Sequence, residues 1–77
     1  MARVRYFAAA EDLAGTAEES RGEATVAALL AALSTERPGL GAILPRCAVL
    51  VDGSRSPGDT PLAADTVVDV LPPFAGG

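Results

Sequence analysis

The strongest fold signal in this chain is one alanine-rich helix that lies between two groups of strand-type segments. Apolar residues recur there at the helical spacing of three and four, and alanines fill most of the remaining positions. Thr25 is suited to cap the start of this helix, and Pro38-Gly39 stops it near Arg37. The apolar stripe consists of Val26, Leu29, Leu30 and Leu33.

Short strand-type segments lie on both sides of this helix. Residues 2–8 predict a first strand, residues 11–15 a short polar helix or loop closed by glycine, and residues 16–21 a second strand with an exposed acidic face. Residues 40–44 predict a short helical turn, 48–51 an apolar strand, and Asp52-Gly53 a tight hairpin turn before a short return strand near Arg55. Residues 66–71 predict the last strand. This order predicts an α+β domain with one main helix packed across a mixed sheet.

The composition fits one small folded domain. The chain has 77 residues, 49% of them hydrophobic, and a mean hydropathy of +0.31, which argues against intrinsic disorder. We expect neither a membrane span nor a secretory leader, because no apolar run approaches 18 residues and the start is not of leader type; a cytoplasmic location follows. The net charge of −4 gives no positive field for nucleic acid or an anionic membrane, so neither is an expected partner.

The last seven residues form an apolar, proline-stiffened segment that ends in two glycines. Each proline fixes its own φ and favours an extended conformation in the residue before it, so six residues from Pro72 reach about 20 Å at roughly 3.3 Å each. Gly76 and Gly77 lack a Cβ, which lets the backbone enter a narrow channel. We therefore predict a domain over residues 1–71 and an extended, flexible arm over 72–77 that serves as the substrate of another enzyme. The alternative is a frayed tail.

The residue inventory predicts a chain without catalytic residues of its own. It has no histidine, no phosphate-binding glycine loop and no cysteine pair, so Ser-His or Cys-His catalysis and a metal site are not expected. Cys47 is either a reactive thiol or, as its place at the start of an apolar strand favours, a buried structural residue. The acidic pairs Glu11-Asp12 and Glu18-Glu19 are interpreted as solvated surface.

All six cationic residues are arginine, and there is no lysine. The chain therefore offers no ε-amino group as an acceptor for an acyl group, which leaves only the α-amino group of Met1. A GC-rich coding bias is the simpler explanation of this composition, and the consequence for acyl transfer is the same.

Together, several short motifs resemble the MoaD/ThiS family of ubiquitin-like sulfur carriers over essentially the whole chain. They are Tyr-Phe-Ala-Ala-Ala at 6–10, Ala14-Gly15-Thr16, the Thr25-Val26 helix start, Val51-Asp52-Gly53, Thr60-Pro61-Leu62 and the segment from Leu71 to Gly77. Within the family, the Pro-Pro-x-Ala-Gly-Gly ending most resembles the small subunit of molybdopterin synthase. The resemblance implies a β-grasp fold.

The resemblance also implies a cycle of reactions at the C-terminus. A ubiquitin-activating-type (MoeB-like) enzyme adenylates the carboxylate of Gly77, and a sulfur donor protein converts the glycyl adenylate to a thiocarboxylate. The arm (Pro72, Pro73, Phe74, Ala75 and Gly76) then enters the large (MoaE-like) subunit, where the sulfur passes to the pterin precursor. The chain would be a non-catalytic carrier that binds no cofactor, and its complex a heterotetramer. Delivery to thiamine thiazole, to cysteine or to a secondary metabolite, and a role as protein modifier, remain alternatives.

Docking to such a partner requires an apolar surface near the arm. Phe7, Leu62, Leu71 and Phe74 match positions that the resemblance assigns to the interface with the large subunit. Core packing remains an equal alternative for Phe7, Leu62 and Leu71. Phe74 lies beyond Pro73, outside the predicted domain, so insertion into a partner's pocket explains an aromatic side chain better.

Overall fold

The computed structural model describes residues 1–73, which form a five-stranded mixed sheet with helices. The sheet has the order β2-β1-β5-β3-β4, in which β1 and β5 are parallel and the other neighbours are antiparallel. The predicted α+β class is confirmed. The elements in chain order are β1 (Ala2–Tyr6), α1 (Ala9–Ala14), β2 (Glu18–Arg21), α2 (Val26–Glu36), α3 (Pro38–Ile43), a 3-10 turn (Leu44–Arg46), β3 (Ala48–Val51), β4 (Ser54–Arg55) and β5 (Val67–Leu71).

The helix α2 forms as its sequence predicts and supplies one side of the core. The Thr25 hydroxyl accepts a hydrogen bond from the Ala28 amide at 3.2 Å, which satisfies one of the free donors of the first turn. The buried face of α2 packs with the inward side chains of β1 and β5, so a single layer of helix covers one face of the sheet. The core includes Val4, Tyr6, Val26, Leu29, Leu33, Leu40, Val68 and Val70.

The predicted hairpin turn at Asp52-Gly53 is also present. Both residues have positive φ, 48° and 86°, the combination that a tight hairpin with two central residues requires. The Asp52 carboxylate accepts a hydrogen bond from the Val67 amide at 2.9 Å. The turn therefore joins β3 to β4 and also fixes the start of the last strand.

The predicted element boundaries were wrong in several places. The first strand ends at Tyr6 instead of residue 8, because the backbone turns at Ala8 (φ 52°) into α1. The second strand begins at Glu18, two residues later than predicted. The helix α2 ends just before Pro38, as predicted, but Pro38 is also the first residue of a further helix, α3. Proline is tolerated there because the amide of the first helical residue would have no partner within the helix.

Candidate functional site

The parallel strands β1 and β5 end side by side, which places Phe7 next to the residues that precede the predicted arm. In the parallel register Tyr6 lies beside Val70, and the Phe7 amide donates to the Val70 carbonyl at 3.2 Å. Leu71 is paired on its other side with Ala48. Phe7, Ala48 and Leu71, which we call the arm-root patch, lie at the end of β5 from which the C-terminal segment leaves. Phe7 is 38% exposed, and Ala48 and Leu71 are half-buried.

Arg5 lies over the Phe7 ring of this patch and is itself fixed by Asp69. Arg5 makes a bidentate pair with Asp69, with N–O distances of 2.6 and 2.8 Å, across the β1–β5 register. Its guanidinium carbon lies 5.8 Å from the centroid of the Phe7 ring, within the range of a cation–π contact. The hydrogen bond and charge of Asp69 raise the pKa of Arg5. The arm-root patch thus includes an aromatic ring beside a cation that is itself fixed.

Leu62 lies at the other end of the sheet from the arm-root patch. Its amide donates to the Ala24 carbonyl at 2.8 Å, and the next amide bonds to the hydroxyl of Thr66, just before β5 begins. The side chain is half-buried and packs against the core. The structure therefore brings Phe7 and Leu71 together but not Leu62, for which it favours core packing.

The predicted arm is described only at its first two residues. Pro72 is buried and Pro73 is exposed. The other predicted site residues, which are Phe74, Ala75, Gly76 and Gly77, lie outside the described residues.

Cys47 lies close to the arm-root patch, directly before Ala48. It is half-buried against the core, and its thiol donates to the Ile43 carbonyl at 3.3 Å. Burial raises the pKa of the thiol, which disfavours the thiolate needed for nucleophilic chemistry. These contacts agree with the structural role that its sequence position favours.

A polar cluster that the sequence interpretation missed ties the edge strand β2 to the end of α2. Glu19 accepts two hydrogen bonds from Arg37, at 2.6 and 3.1 Å, and one from the hydroxyl of Tyr6. Glu19 is half-buried, so its interpretation as solvated surface was wrong. Arg21, also on β2, makes bidentate pairs with Glu23 and with Glu36. Tyr6 is the one residue whose sequence position could have indicated this cluster, because the hydroxyl of a buried tyrosine needs a hydrogen-bond partner.

The electrostatics of this cluster follow from its contacts. Arg37 is the main cause that lowers the pKa of Glu19. Burial is the main cause that raises the pKa of Tyr6 far above its ordinary value, with the neighbouring Glu19 adding to it. Both shifts favour the same state, in which an ionised Glu19 accepts a hydrogen bond from the neutral hydroxyl of Tyr6.

Across residues 1–73 there is no pocket and no group of three side chains that could hold a metal ion. None of the helices in this part of the chain has the length and apolar character needed to cross a membrane. The features that the geometry does provide are the partly exposed arm-root patch and a strand that ends at Leu71, directly before the predicted arm.

Comparison with known proteins decides the family. The sequence matches the family model described as the ThiS family over residues 4–77. The chain belongs to the ThiS family. The match includes both terminal glycines, and the predicted MoaD/ThiS resemblance is confirmed. No curated protein matches the sequence significantly.

Solved structures of similar fold include molybdopterin converting factor subunits and a small archaeal modifier protein. A Pyrococcus furiosus protein assigned as molybdopterin converting factor subunit 1 is 26% identical, with 95% of this chain and 97% of that chain covered and a TM-score of 0.82. SAMP1, a small archaeal modifier protein from Haloferax volcanii, is 25% identical over 99% of this chain and 98% of its own, with a TM-score of 0.78.

A third structure contains a partner. It is a complex of subunits 1 and 2 of the molybdopterin-converting factor from Helicobacter pylori, 27% identical, with 99% of this chain and 97% of that chain covered and a TM-score of 0.73. These ubiquitin-like neighbours confirm the predicted β-grasp fold of this ThiS-family chain.

Proposed function

We propose that this ThiS-family chain is a sulfur carrier that acts in the cytoplasm as the small, non-catalytic subunit of molybdopterin synthase. The observation that carries the proposal is the family match through Gly77, combined with a central strand that ends six residues before that glycine. Phe7 and Leu71 supply an apolar surface at the same end of the sheet.

The chemistry requires enzymes other than the carrier. A C-terminal carboxylate has a pKa of about 3.5 and is ionised at neutral pH, which makes it a poor electrophile. Attack of this carboxylate on ATP, catalysed by a MoeB-like enzyme, releases pyrophosphate and leaves a glycyl adenylate on Gly77. The terminal sulfur of a persulfide on a donor protein then attacks the adenylate carbonyl and displaces AMP. A thiol reductant cleaves the resulting acyl disulfide, which leaves the thiocarboxylate on Gly77 and a thiol on the donor. The glycines suit this end because no Cβ obstructs the reacting carbonyl.

The proposed receiver is a MoaE-like large subunit, in a heterotetramer built on that subunit's dimer. The Helicobacter pylori structure pairs a subunit 1 of the same fold with its subunit 2, which supports a partner of this class. The arm-root patch leaves an exposed aromatic ring beside the outgoing chain, and aromatic anchors of this kind dominate many interfaces. Phe74 would add a second aromatic anchor.

The test of the carrier function is the mass of the intact protein after incubation with the MoeB-like enzyme, ATP and a sulfur donor. The expected result is a gain of about 16 Da as sulfur replaces one carboxylate oxygen, localised to Gly77. The matched control is Cys47→Ser, which should gain the same mass. A gain that is lost in Cys47→Ser, or no gain in the unchanged chain, contradicts the proposal.

The pathway is tested by the acceptor. With the large synthase subunit and the pterin precursor, the thiocarboxylated chain should return to its original mass while molybdopterin forms. Sulfur release only to thiazole, cysteine or secondary-metabolite enzymes would assign the carrier to one of the alternative pathways.

The likeness to SAMP1 favours a second candidate, a ubiquitin-like modifier. In that case the activated C-terminus would form an amide with a lysine of another protein. Because this chain has no lysine, it would add as single units and would not extend into isopeptide-linked chains. Conjugates of this chain on cellular proteins that depend on Gly77, without a thiocarboxylated form, would favour the modifier.

A further inference from the structure

The first residue of the predicted arm belongs to the buried face of the domain. Along β5 the side chains alternate: Val68 and Val70 are fully buried, whereas Val67, Asp69 and Leu71 are only half-buried. Pro72 is buried and Pro73 is exposed, so the same alternation continues for one residue beyond the strand. Pro72 therefore extends the inward row of β5.

The β3–β5 register identifies what lies across from Pro72. Val49 pairs with Val70 and Ala48 with Leu71, so the antiparallel register continued by one residue sets Cys47 opposite Pro72. Cys47 faces the core and is fixed by the bond from its thiol to the Ile43 carbonyl. A buried ring thus lies opposite a core-facing side chain at the point where the two strands end.

Proline is chemically suited to this position. It has no amide hydrogen, so it ends the strand ladder without leaving a buried donor unpaired. Its ring also fixes φ at an extended value, which removes one backbone rotation at the junction. Pro73 has the same kind of ring but is exposed, so its ring is not packed as that of the buried Pro72 is.

We propose that Pro72 is a positioning residue, packed at the end of β5 opposite Cys47, and that the segment able to enter a partner's active site begins at Pro73. This inference rests on the proposed carrier function. The segment from Pro73 to Gly77 has five residues and a fully extended length of at most about 16 Å, compared with about 20 Å for the six residues from Pro72. A fixed Pro72 reduces the conformational entropy that is lost when the terminal carboxylate reaches the adenylation site.

The test compares Pro72→Ala with Pro73→Ala in adenylation by the MoeB-like enzyme, measured as pyrophosphate release. Both variants lose one proline ring, but only the first loses buried contact. We expect Pro72→Ala to lower kcat about tenfold, the scale of freeing one backbone residue, with KM within about twofold because the arm-root patch still docks. For Pro73→Ala we expect a loss of less than about threefold.

Both variants are assayed at a temperature at which circular dichroism shows them folded, so a role in stability alone would leave kcat unchanged. If Pro72→Ala does not fold, Cys47→Ala removes the opposite side of the same contact and should lower kcat about threefold. A Pro72→Ala protein with the kcat of Pro73→Ala overturns the positioning role while the carrier function stands. An unchanged chain that is not adenylated at all overturns the carrier function, and the positioning role with it.

Discussion

Replacing Glu19 by alanine is the change that we expect to destabilise this domain most for a residue outside the apolar core. The carboxylate is the acceptor for the hydroxyl of Tyr6, whose residue is only 2% exposed, and for both terminal nitrogens of Arg37. Glu19→Ala leaves the buried hydroxyl without an acceptor, at about 1–3 kcal/mol. It also breaks a half-buried ion pair worth about 0.5–1 kcal/mol.

The sum is a loss of about 1.5–4 kcal/mol in the free energy of unfolding. For a domain of this size each kcal/mol lowers Tm by about 4–8 °C, so the expected drop is roughly 6–30 °C. Glu18→Ala is the matched control, because it removes the neighbouring glutamate from the same strand. Within residues 1–73 Glu18 pairs only with Arg3, and both side chains are about half exposed (49% and 56%), so its loss should cost less than about 0.5 kcal/mol.

The measurement is urea unfolding followed by circular dichroism, with Tyr6→Phe and the double variant completing a cycle. Removing the hydroxyl in Tyr6→Phe removes the need for an acceptor, so Glu19→Ala should cost at least about 1 kcal/mol less in that background. Equal losses for Glu19→Ala and Glu18→Ala, or strict additivity with Tyr6→Phe, would refute the reasoning.

Three further predictions concern pH, docking and the terminus. Folding lowers the pKa of Glu19, so its contribution to the free energy of unfolding is complete above the unfolded pKa of about 4.3 and is lost as the pH falls from there through the folded pKa. Glu19→Gln should therefore make the free energy of unfolding, measured by urea unfolding at several pH values, fall less steeply in acid. Phe7→Ala should weaken binding of the large synthase subunit about tenfold or more by calorimetry, whereas Leu13→Ala, similarly exposed but beside α3, should change it less than twofold. Deleting Gly77 should abolish sulfur transfer, because the reacting carbon moves about 3.5 Å, while Tm stays within about 1 °C.

Elements with local signals could be predicted from the sequence. Thr25 caps α2 because its hydroxyl reaches an amide three residues away, and Asp52-Gly53 forms its turn through its own backbone angles. Such features depend on neighbours in sequence. The turn at Ala8 could not be predicted in this way, because alanine rarely adopts positive φ and carries no signal for it.

The parts of the candidate site that were missed depend on contacts between distant segments. Glu19 lies 13 residues from Tyr6 and 18 from Arg37, and no pattern in the sequence joins them. The burial of Pro72 depends on the β3–β5 register, which only the folded sheet defines. Phe7 and Leu71 were predicted together because the resemblance supplied their pairing, and Leu62 was grouped with them for the same reason although the sheet separates it.

The position of β5 explains why the stability of the domain and the chemistry of its terminus should respond to different mutations. This strand is hydrogen-bonded on both sides, to β1 and to β3, so the root of the arm cannot be released without breaking two ladders. Glu19 acts on the edge strand β2 instead, separated from β5 by β1. Glu19→Ala should therefore keep the unchanged chain's kcat for adenylation at temperatures at which it remains folded. Deletion of Gly77 should do the opposite, because the strand pairings lie within residues 2–71 and the deletion shifts the reacting carboxylate by one residue.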